Sequence, residues 1–169
     1  MKNAYKVILI GLAVVGVVYA GTKPGAMTRE EKNKAIVRRA LEATHSGDWE
    51  LMRNLYSPKF VQHSPASREP IGWEDYELGC RIARRKLPDF RHKIEDIIAE
   101  GDKVVVRLSA STPVKGHFLE RSYPDGVMKV TEIDIVRIAD GRIVEEWVEC
   151  DVAQFLEFLR VMKYTGQAR

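Results

Sequence analysis

Two acidic residues, Glu132 and Asp134, lie two positions apart in a segment that favours a β-strand, and together they could perform acid–base chemistry. Residues at this spacing share one face of a strand, with Cα atoms roughly 6.5–7 Å apart. On a dry face, the charge of one carboxylate raises the pKa of the other. Such a pair suits enolisation next to a carbonyl group, with Asp134 as the base that takes the proton and Glu132 as the acid that polarises the oxygen.

The same strand also allows a plainer interpretation of the pair. Antiparallel strands commonly show one face to water, where both acids would be solvated or paired with basic residues of neighbouring strands. From Lys129 to Ala139, however, alternation puts Val130 and Val136 on the face that carries the two acids. We therefore expect Val130 and Val136 to line a substrate pocket beside the carboxylates.

The following strand, Arg142 to Cys150, brings a third acid to this region. Asp140-Gly141 predicts a type I′ turn, because both central positions of that turn need a positive φ, and the two strands then form a hairpin. Alternation assigns Val144, Glu146, Val148 and Cys150 to one face and Ile143, Glu145, Trp147 and Glu149 to the other. Glu146 is thus a second candidate for the polarising acid, and Val148 for the pocket wall. Trp147 fits packing in the core or stacking on a ligand.

Helices and further strands must position these residues. Thr28-Arg-Glu-Glu31 is a capping box that begins a helix, Ser46-Gly47 ends it, and Asp48 caps a second one. The predicted elements are helices from Thr28 to about His45, from Asp48 to Leu55 and from about Trp73 to Lys86, strands Phe60–His63, Phe90–Glu100, Lys103–Thr112, Lys129–Ala139 and Arg142–Cys150, and a tail helix from Asp151 to Tyr164. Helices followed by antiparallel hairpins predict an α+β domain, with the helices on one face of a curved sheet.

Three segments coincide in order, spacing and turns with those of a known family. They are NKAIVRRALEATHSGDWELMRNLYSPKFVQHSP, LPDFRHKIEDIIAEGDKVVVRLS and VTEIDIVRIADGRIVEEWVECD. Together they resemble the SnoaL-like polyketide cyclase family of the nuclear-transport-factor-2-like (NTF2-like) superfamily, which also contains ketosteroid isomerases. The resemblance implies a cone: a curved antiparallel sheet wrapped around about three N-terminal helices, a short C-terminal helix, and an apolar pocket with a few polar side chains at its mouth.

The resemblance also implies functional residues. His63 stands in QHSP, a motif that places the histidine at the pocket in this family, where it could orient a carbonyl substrate; a hydrogen-bonded histidine at a strand end is the alternative. His117 lies in a connection that the family uses near the pocket mouth, or is a solvated loop residue. In cyclase members an acidic residue occurs close to the strand tryptophan. That position aligns here with Val148, which removes this base unless Glu146 replaces it.

Three functions fit these residues. The first is an enzyme of the cyclase, isomerase or lyase type that acts on a small apolar carbonyl compound by acid–base chemistry, with neither a metal nor an organic cofactor. The second is a binding module that keeps the pocket without a working base; Val148 favours it, whereas the carboxylate pair and His63 favour the enzyme. The third is a dimerisation module of the cell envelope, in contact through the outer face of the sheet. We expect a homodimer.

The N-terminus differs from the rest of the chain. Residues 7–21, VILIGLAVVGVVYAG, are uncharged and apolar and follow Lys2 and Lys6, a pattern typical of a secretory signal cleaved after Ala20. A membrane anchor, a buried core segment and a domain that begins at Met27 are the alternatives. We divide the chain into a leader of residues 1–20, a linker of 21–27, a domain of 28–164 and a tail of 165–169. The leader predicts export or membrane anchoring, and a start at Met27 predicts a cytoplasmic protein.

Composition excludes several classes of protein. The 169 residues are 45% hydrophobic and 30% charged, which is ordinary for a globular domain and excludes a disordered or collagen-like chain. The formal net charge is +3, and part of it belongs to the leader, so we expect no nucleic-acid partner. Cys80 and Cys150 have no histidines at ligand spacing, which argues against a zinc site. The two cysteines are either buried free thiols or, in an exported chain, partners in a disulfide.

Overall fold

The computed structural model describes residues 26–65, 67–114, 117–118, 121–122, 126–151, 153–154, 156 and 160. The predicted leader of residues 1–20 and the tail of residues 165–169 lie outside this part, so their assignment stays a prediction. Among the described residues, no helix is both long enough and apolar enough to cross a membrane.

Three helices cover one side of the domain, namely α1 (Arg29–Ser46), α2 (Trp49–Leu55) and α3 (Trp73–Lys86). The Glu31 amide donates to Thr28 Oγ1 at 3.1 Å, so α1 begins where the capping box predicts. It ends at Gly47, whose φ of 77° is the left-handed conformation that favours glycine. The Leu51 amide donates to the Asp48 carboxylate at 2.9 Å and caps α2. Local capping signals thus position α1 and α2, whereas α3 begins after Gly72 without a side-chain cap.

Six strands form one curved sheet in the order β2-β1-β8-β7-β4-β3. The strands are β1 (Tyr56–His63), β2 (Ile71–Gly72), β3 (Arg91–Glu100), β4 (Lys103–Pro113), β7 (Val127–Ala139) and β8 (Arg142–Cys150), while β5 (His117–Phe118) and β6 (Arg121–Ser122) pair separately. Neighbours are antiparallel except β1 and β8, which are parallel. The predicted curved sheet is confirmed, and it is mixed at this pair, because α3 and a hairpin between β1 and β8 give the chain room to return in the same direction.

Strand β1 begins earlier than predicted, directly after α2. Ser57-Pro58 predicts a turn, yet the strand starts at Tyr56. Its register against β8 shifts between Tyr56 and Val61, and Pro58 lies in that bulge, where the missing amide costs no ladder hydrogen bond. The longer strand carries Tyr56 into the core.

The two predicted hairpins, β3–β4 and β7–β8, are confirmed. Asp140 and Gly141 have φ values of 49° and 73°, as a type I′ turn requires. Near this turn the register of β7 against β8 shifts, so that Ile138 pairs with Ile143. The bulge turns Ile143 inward, where it is buried. Its predicted place on the outer face is therefore wrong.

The hydrophobic core lies between the helices and the inner face of the sheet, around Phe60, Met52 and Leu108. The outer face carries an apolar row across three strands, because Ile98 pairs with Val105 and Val105 pairs with Ile135. Ile98 and Ile135 are exposed. One solvated face is ordinary for such a sheet, and the expected homodimer stays a prediction.

The tail helix is described at Ala153, Gln154, Leu156 and Arg160, and all four residues are helical. The Gln154 amide donates to the Asp151 carboxylate at 3.1 Å, so Asp151 caps this helix as its sequence position predicts.

Two glycines in helical surroundings should respond in opposite ways to alanine. A Cβ on Gly47 would lie 2.7 Å from Arg84 Nε at a positive φ, whereas one on Gly79, an exposed residue of α3, would meet nothing within 4 Å. We expect Gly47→Ala to lower the free energy of unfolding by about 1–2 kcal/mol. Gly79→Ala should raise it by about 0.5–1 kcal/mol through helix propensity. Urea unfolding measures both, and equal effects would contradict the capping geometry.

Candidate active site

A cavity of about 200 Å³ lies between the inner face of the sheet and the helices α1 and α3. Glu132 and Asp134 of β7 and Glu146 of β8 line it, together with apolar side chains such as Val37 and Leu108. The structure thus brings three of the four predicted catalytic residues to one cavity. Their alternation along the strands is the reason, since each faces inward while its neighbours face outward.

Asp134 is the most unusual of these residues. It is 6% exposed, and its Cα pairs with Val106 on β4 and Val148 on β8, which places apolar residues on both sides. Its Oδ1 is buried without a hydrogen-bond partner among the described residues. Burial first, and then the charges of Glu146 and Glu132, raises the pKa of Asp134 well above its usual range. Burial therefore favours the protonated form of this carboxyl, which can donate a hydrogen bond.

Glu146 is equally buried, at 7% exposed, but it has a partner. Gln62 Nε2 donates to Glu146 Oε2 at 2.7 Å. Burial raises the pKa of Glu146 to about 7; the Gln62 hydrogen bond and the charge of His92 oppose this shift, and the charge of Glu132 adds to it. An amide donor favours the ionised form, so the negative charge of the Asp134–Glu146 pair belongs mainly on Glu146.

Glu132 is held by a histidine. Its Oε1 lies 3.2 Å from His92 Nε2, and the side chains are 16% and 17% exposed. His92 also lines the cavity. The three acids are therefore not equivalent: Asp134 lacks a partner among the described residues, Glu146 accepts from an amide, and Glu132 faces an imidazole.

Two tyrosines close the inner end of the cavity. The hydroxyl oxygens of Tyr56 and Tyr76 are 3.2 Å apart, and either can be the donor. Burial raises the pKa of both well above the usual range, so both hydroxyls keep their protons. Phe60 and Trp73 pack around Tyr56, with ring centroids 4.9 Å and 5.0 Å from it. The result is an aromatic floor with two hydroxyl groups.

The predicted pocket residues are divided between the cavity and other places. Val136 and Val148 line the cavity. Val130 lies instead in a separate apolar cluster with Leu87 and Met128, so its prediction as a lining residue is wrong, because β7 extends past the end of the cavity. The backbone of His117 is in β5, and its side chain lies outside the described part.

His63 and Trp147 lie on the opposite side of the sheet from the cavity. Their rings stack with centroids 5.5 Å apart and planes 8° apart, and His63 Nε2 lies 3.0 Å from Glu145 Oε1. The register explains this placement: Gln62 pairs with Glu146 and faces inward, so the next residue, His63, pairs with Trp147 and faces outward. The expectation that both line the main pocket is therefore wrong, and they border a shallow surface depression instead.

Sequence reasoning missed several residues that line the cavity. Alternation within QHSP could have identified Gln62, since it is one position from His63. His92 shares a face with Ile94 in β3, and the same rule could have found it. Tyr56 carried no such signal, because the sequence predicted a turn where β1 begins.

Cysteines and metals add little to the site. Cys80 and Cys150 are free thiols in α3 and β8. Burial raises the pKa of Cys80 to about 12, so this cavity-lining thiol is unreactive at neutral pH. In the described part of the chain, no three His, Cys, Asp or Glu side chains are arranged to hold a metal ion.

Comparisons with solved structures define the class. IdmH of Streptomyces antibioticus, a "putative polyketide cyclase", is 27% identical and superposes with a TM-score of 0.64 over 75% of this chain and 97% of that one. TsrD of Streptomyces laurentii is 25% identical, with a TM-score of 0.60 over 78% and 96% of the two chains. A "putative ketosteroid isomerase" of Kribbella flavida, 17% identical with a TM-score of 0.56 over 75% and 82%, shares the fold alone.

These structures place the protein in the NTF2-like class of α+β cones. The chain belongs to the SnoaL-like polyketide cyclase family, whose family model matches residues 34–158. Fold and family together support a cyclase-type function in general. None of the curated proteins matches the chain.

The buried acids predict a pH-dependent stability. The pKa of Glu146 is about 7 in the folded protein and near 4.3 in an unfolded chain, so stability from this group is complete below about pH 4 and is lost as the pH rises through 7. We expect the free energy of unfolding to fall between about pH 5 and pH 8. In Glu146→Gln this fall should be smaller than in the unmodified chain, with a difference on the order of 3 kcal/mol. Urea unfolding at several pH values measures this.

The exposed Glu149 on the same strand supplies the control. Glu149→Gln should keep the pH dependence of the unmodified chain. An unchanged pH dependence in Glu146→Gln would contradict the burial of a titrating carboxyl group.

Proposed function

We propose that the protein catalyses a proton transfer next to the carbonyl group of a small, largely apolar molecule, as part of an isomerisation or ring closure, by acid–base chemistry of its own side chains. The observation that carries the proposal is the buried Oδ1 of Asp134, which has no hydrogen-bond partner in the described part of the chain and lies in a cavity that also holds the Glu146 carboxylate. A buried carboxyl without a partner is costly for the fold, and a ligand that accepts its hydrogen bond offsets that cost.

The geometry favours one division of roles. Glu146, whose pKa is about 7, is partly ionised at neutral pH and serves as the base that takes a proton from the carbon beside the carbonyl. Asp134 stays protonated and donates to the carbonyl oxygen, which becomes negative as the proton leaves. This division reverses the roles that the strand pattern alone suggests, because Gln62 stabilises charge on Glu146 and no described residue does so on Asp134.

The apolar walls support both the substrate class and the chemistry. Val37, Leu108 and Val136 form a lining that suits a hydrocarbon skeleton. A water-poor cavity also strengthens the hydrogen bond from Asp134 to a developing oxyanion. The cavity volume of about 200 Å³ suits a ligand of one or two small rings.

A non-catalytic binding module is the second candidate. Val148 favours it, since this residue lines the cavity directly beside Asp134, at the position where the resemblance implies an acid. In that case the pocket binds the ketone, and no proton leaves the ligand.

Hydrogen–deuterium exchange separates the two candidates. In D₂O, the protein should catalyse exchange of the α-protons of a small bicyclic ketone such as 2-tetralone for deuterium. Proton NMR measures the rate of this exchange. We expect Glu146→Gln and Asp134→Asn each to slow this exchange by roughly 100-fold or more, because each removes a group that acts in the transition state. Glu149→Gln is the matched control and should exchange at the normal rate.

Binding is measured in parallel by the rise in melting temperature with 2-tetralone and other small ketones. Binding without exchange by the unmodified chain would support the binding module and contradict the enzyme. Failure of every ketone to stabilise the chain would contradict the proposed class of ligand.

A further inference from the structure

His92 reaches Glu132 across an intervening strand. His92 is in β3 and Glu132 in β7, with β4 between them. The β4 residue that pairs with His92 is Ala110, whose methyl group leaves room for an imidazole ring to cross over β4 on the inner face. His92 Nε2 thereby comes within 3.2 Å of Glu132 Oε1, and both side chains are largely buried.

The other ring nitrogen of His92 faces a second histidine. The His92 amide donates to His45 Nε2 at 3.0 Å, so that nitrogen of His45 carries a lone pair and no proton. His92 Nδ1 lies 3.0 Å from the same atom and must therefore be the donor. The two ring planes are nearly parallel, 17° apart, with centroids 5.2 Å apart.

His45 is suited to remain an acceptor. Burial, followed by the positive charges of His92, Arg91 and Arg84, lowers the pKa of His45 to about 4. Arg84 Nη1 also donates to the backbone carbonyl of His45 and ties the end of α1 to α3. The ring is therefore neutral and fixed in place at neutral pH.

With Nδ1–H directed to His45, the His92 ring becomes an imidazolium when Nε2, 3.2 Å from the carboxylate oxygen of Glu132, also carries a proton. We propose that His92 is a buried imidazolium that holds the Glu132 carboxylate through Nε2–H, with His45 as the positioning residue that fixes the ring through Nδ1–H. The cavity then contains a histidine–glutamate ion pair beside the Asp134–Glu146 pair, in place of a third free acid.

This ion pair controls the charge on the proposed base. The charge of Glu132 raises the pKa of Asp134 and Glu146, and the charge of His92 lowers that of Glu146. Without His92, the uncompensated carboxylate of Glu132 would keep Glu146 protonated to higher pH. The effect on catalysis rests on the proposed function, whereas the protonation of the ring does not.

Other titratable or charged groups surround the imidazole on every element packed against it. They are Glu132 on β7, Glu146 on β8, His45 on α1, Cys80 and Arg84 on α3, and Arg91 beside it on β3. Cys80 remains an uncharged thiol. Among the described residues, Glu132, Asp134 and Glu146 are the carboxyl groups that line the cavity with His92, and Glu132 lies within hydrogen-bond distance of the ring.

Nitrogen NMR of the imidazole rings tests the proposal directly in the full chain. At pH 7 we expect both ring nitrogens of His92 to carry protons and His45 to be the neutral Nδ1–H tautomer. In Glu132→Gln, His92 should lose its Nε2 proton. A neutral His92 ring in the unmodified chain, or a His45 that carries its proton on Nε2, would overturn the proposal without reference to any reaction.

The pH profile of 2-tetralone exchange tests the consequence. We expect His92→Gln to move the profile to higher pH, so that exchange at pH 7 falls about tenfold for each unit of displacement, and Glu132→Gln to move it to lower pH. Glu145→Gln, which breaks the His63–Glu145 pair on the outer face, is the matched control and should leave the profile in place.

The outcomes of this second measurement remain distinguishable. A uniform loss of exchange in His92→Gln at every pH, without displacement, would indicate a merely structural role and contradict the positioning of the base. Absence of exchange in the unmodified chain would contradict the proposed function, and the ring-nitrogen result would still decide the ion pair.

Discussion

The enclosure of two carboxyl groups, Asp134 and Glu146, in one apolar cavity is the constraint on which the site depends. Two adjacent charges in such a place cost more than the fold can tolerate, so the pair retains a proton under conditions where exposed acids have lost theirs. Gln62 then decides which member carries the charge, because its amide donates to Glu146. In the proposed mechanism, burial therefore makes one of these side chains a base and the other an acid at the same pH.

The architecture supplies the dryness that this requires. The two acids stand on β7 and β8, in the interior of the sheet, where each strand has neighbours on both sides. Helices α1 and α3 cover the inner face. Arg84 of α3 donates to the backbone carbonyl of His45 and ties α3 to the end of α1. The type I′ turn joins β7 to β8, and the register shift beside it brings Glu146 opposite Val136, on the face that carries Asp134.

Most of the fold could be predicted from the sequence because its signals are local. Thr28, Gly47 and Asp140-Gly141 mark helix and hairpin ends by their own chemistry, and alternation placed Glu132 and Asp134 correctly on the inner face. Errors arose where a bulge overrides the local pattern. The bulges at Pro58 and near Ile143, and the parallel pairing of β1 with β8, depend on contacts between distant segments. The register of β1 against β8 points Gln62 inward and the next residue, His63, outward. The contact of His92 with Glu132 depends on the order of β3, β4 and β7 in the sheet, which the local sequence does not indicate.

Carbon NMR of the side-chain carboxyl groups tests the central claim most directly, since it observes Asp134 and Glu146 in the folded protein without any substrate. We predict that one carboxyl signal titrates near pH 7, that it is absent in Glu146→Gln, and that the signal of Asp134 stays that of a protonated acid at neutral pH. Titration of every aspartate and glutamate below about pH 5, the ordinary range for these side chains, would contradict the account.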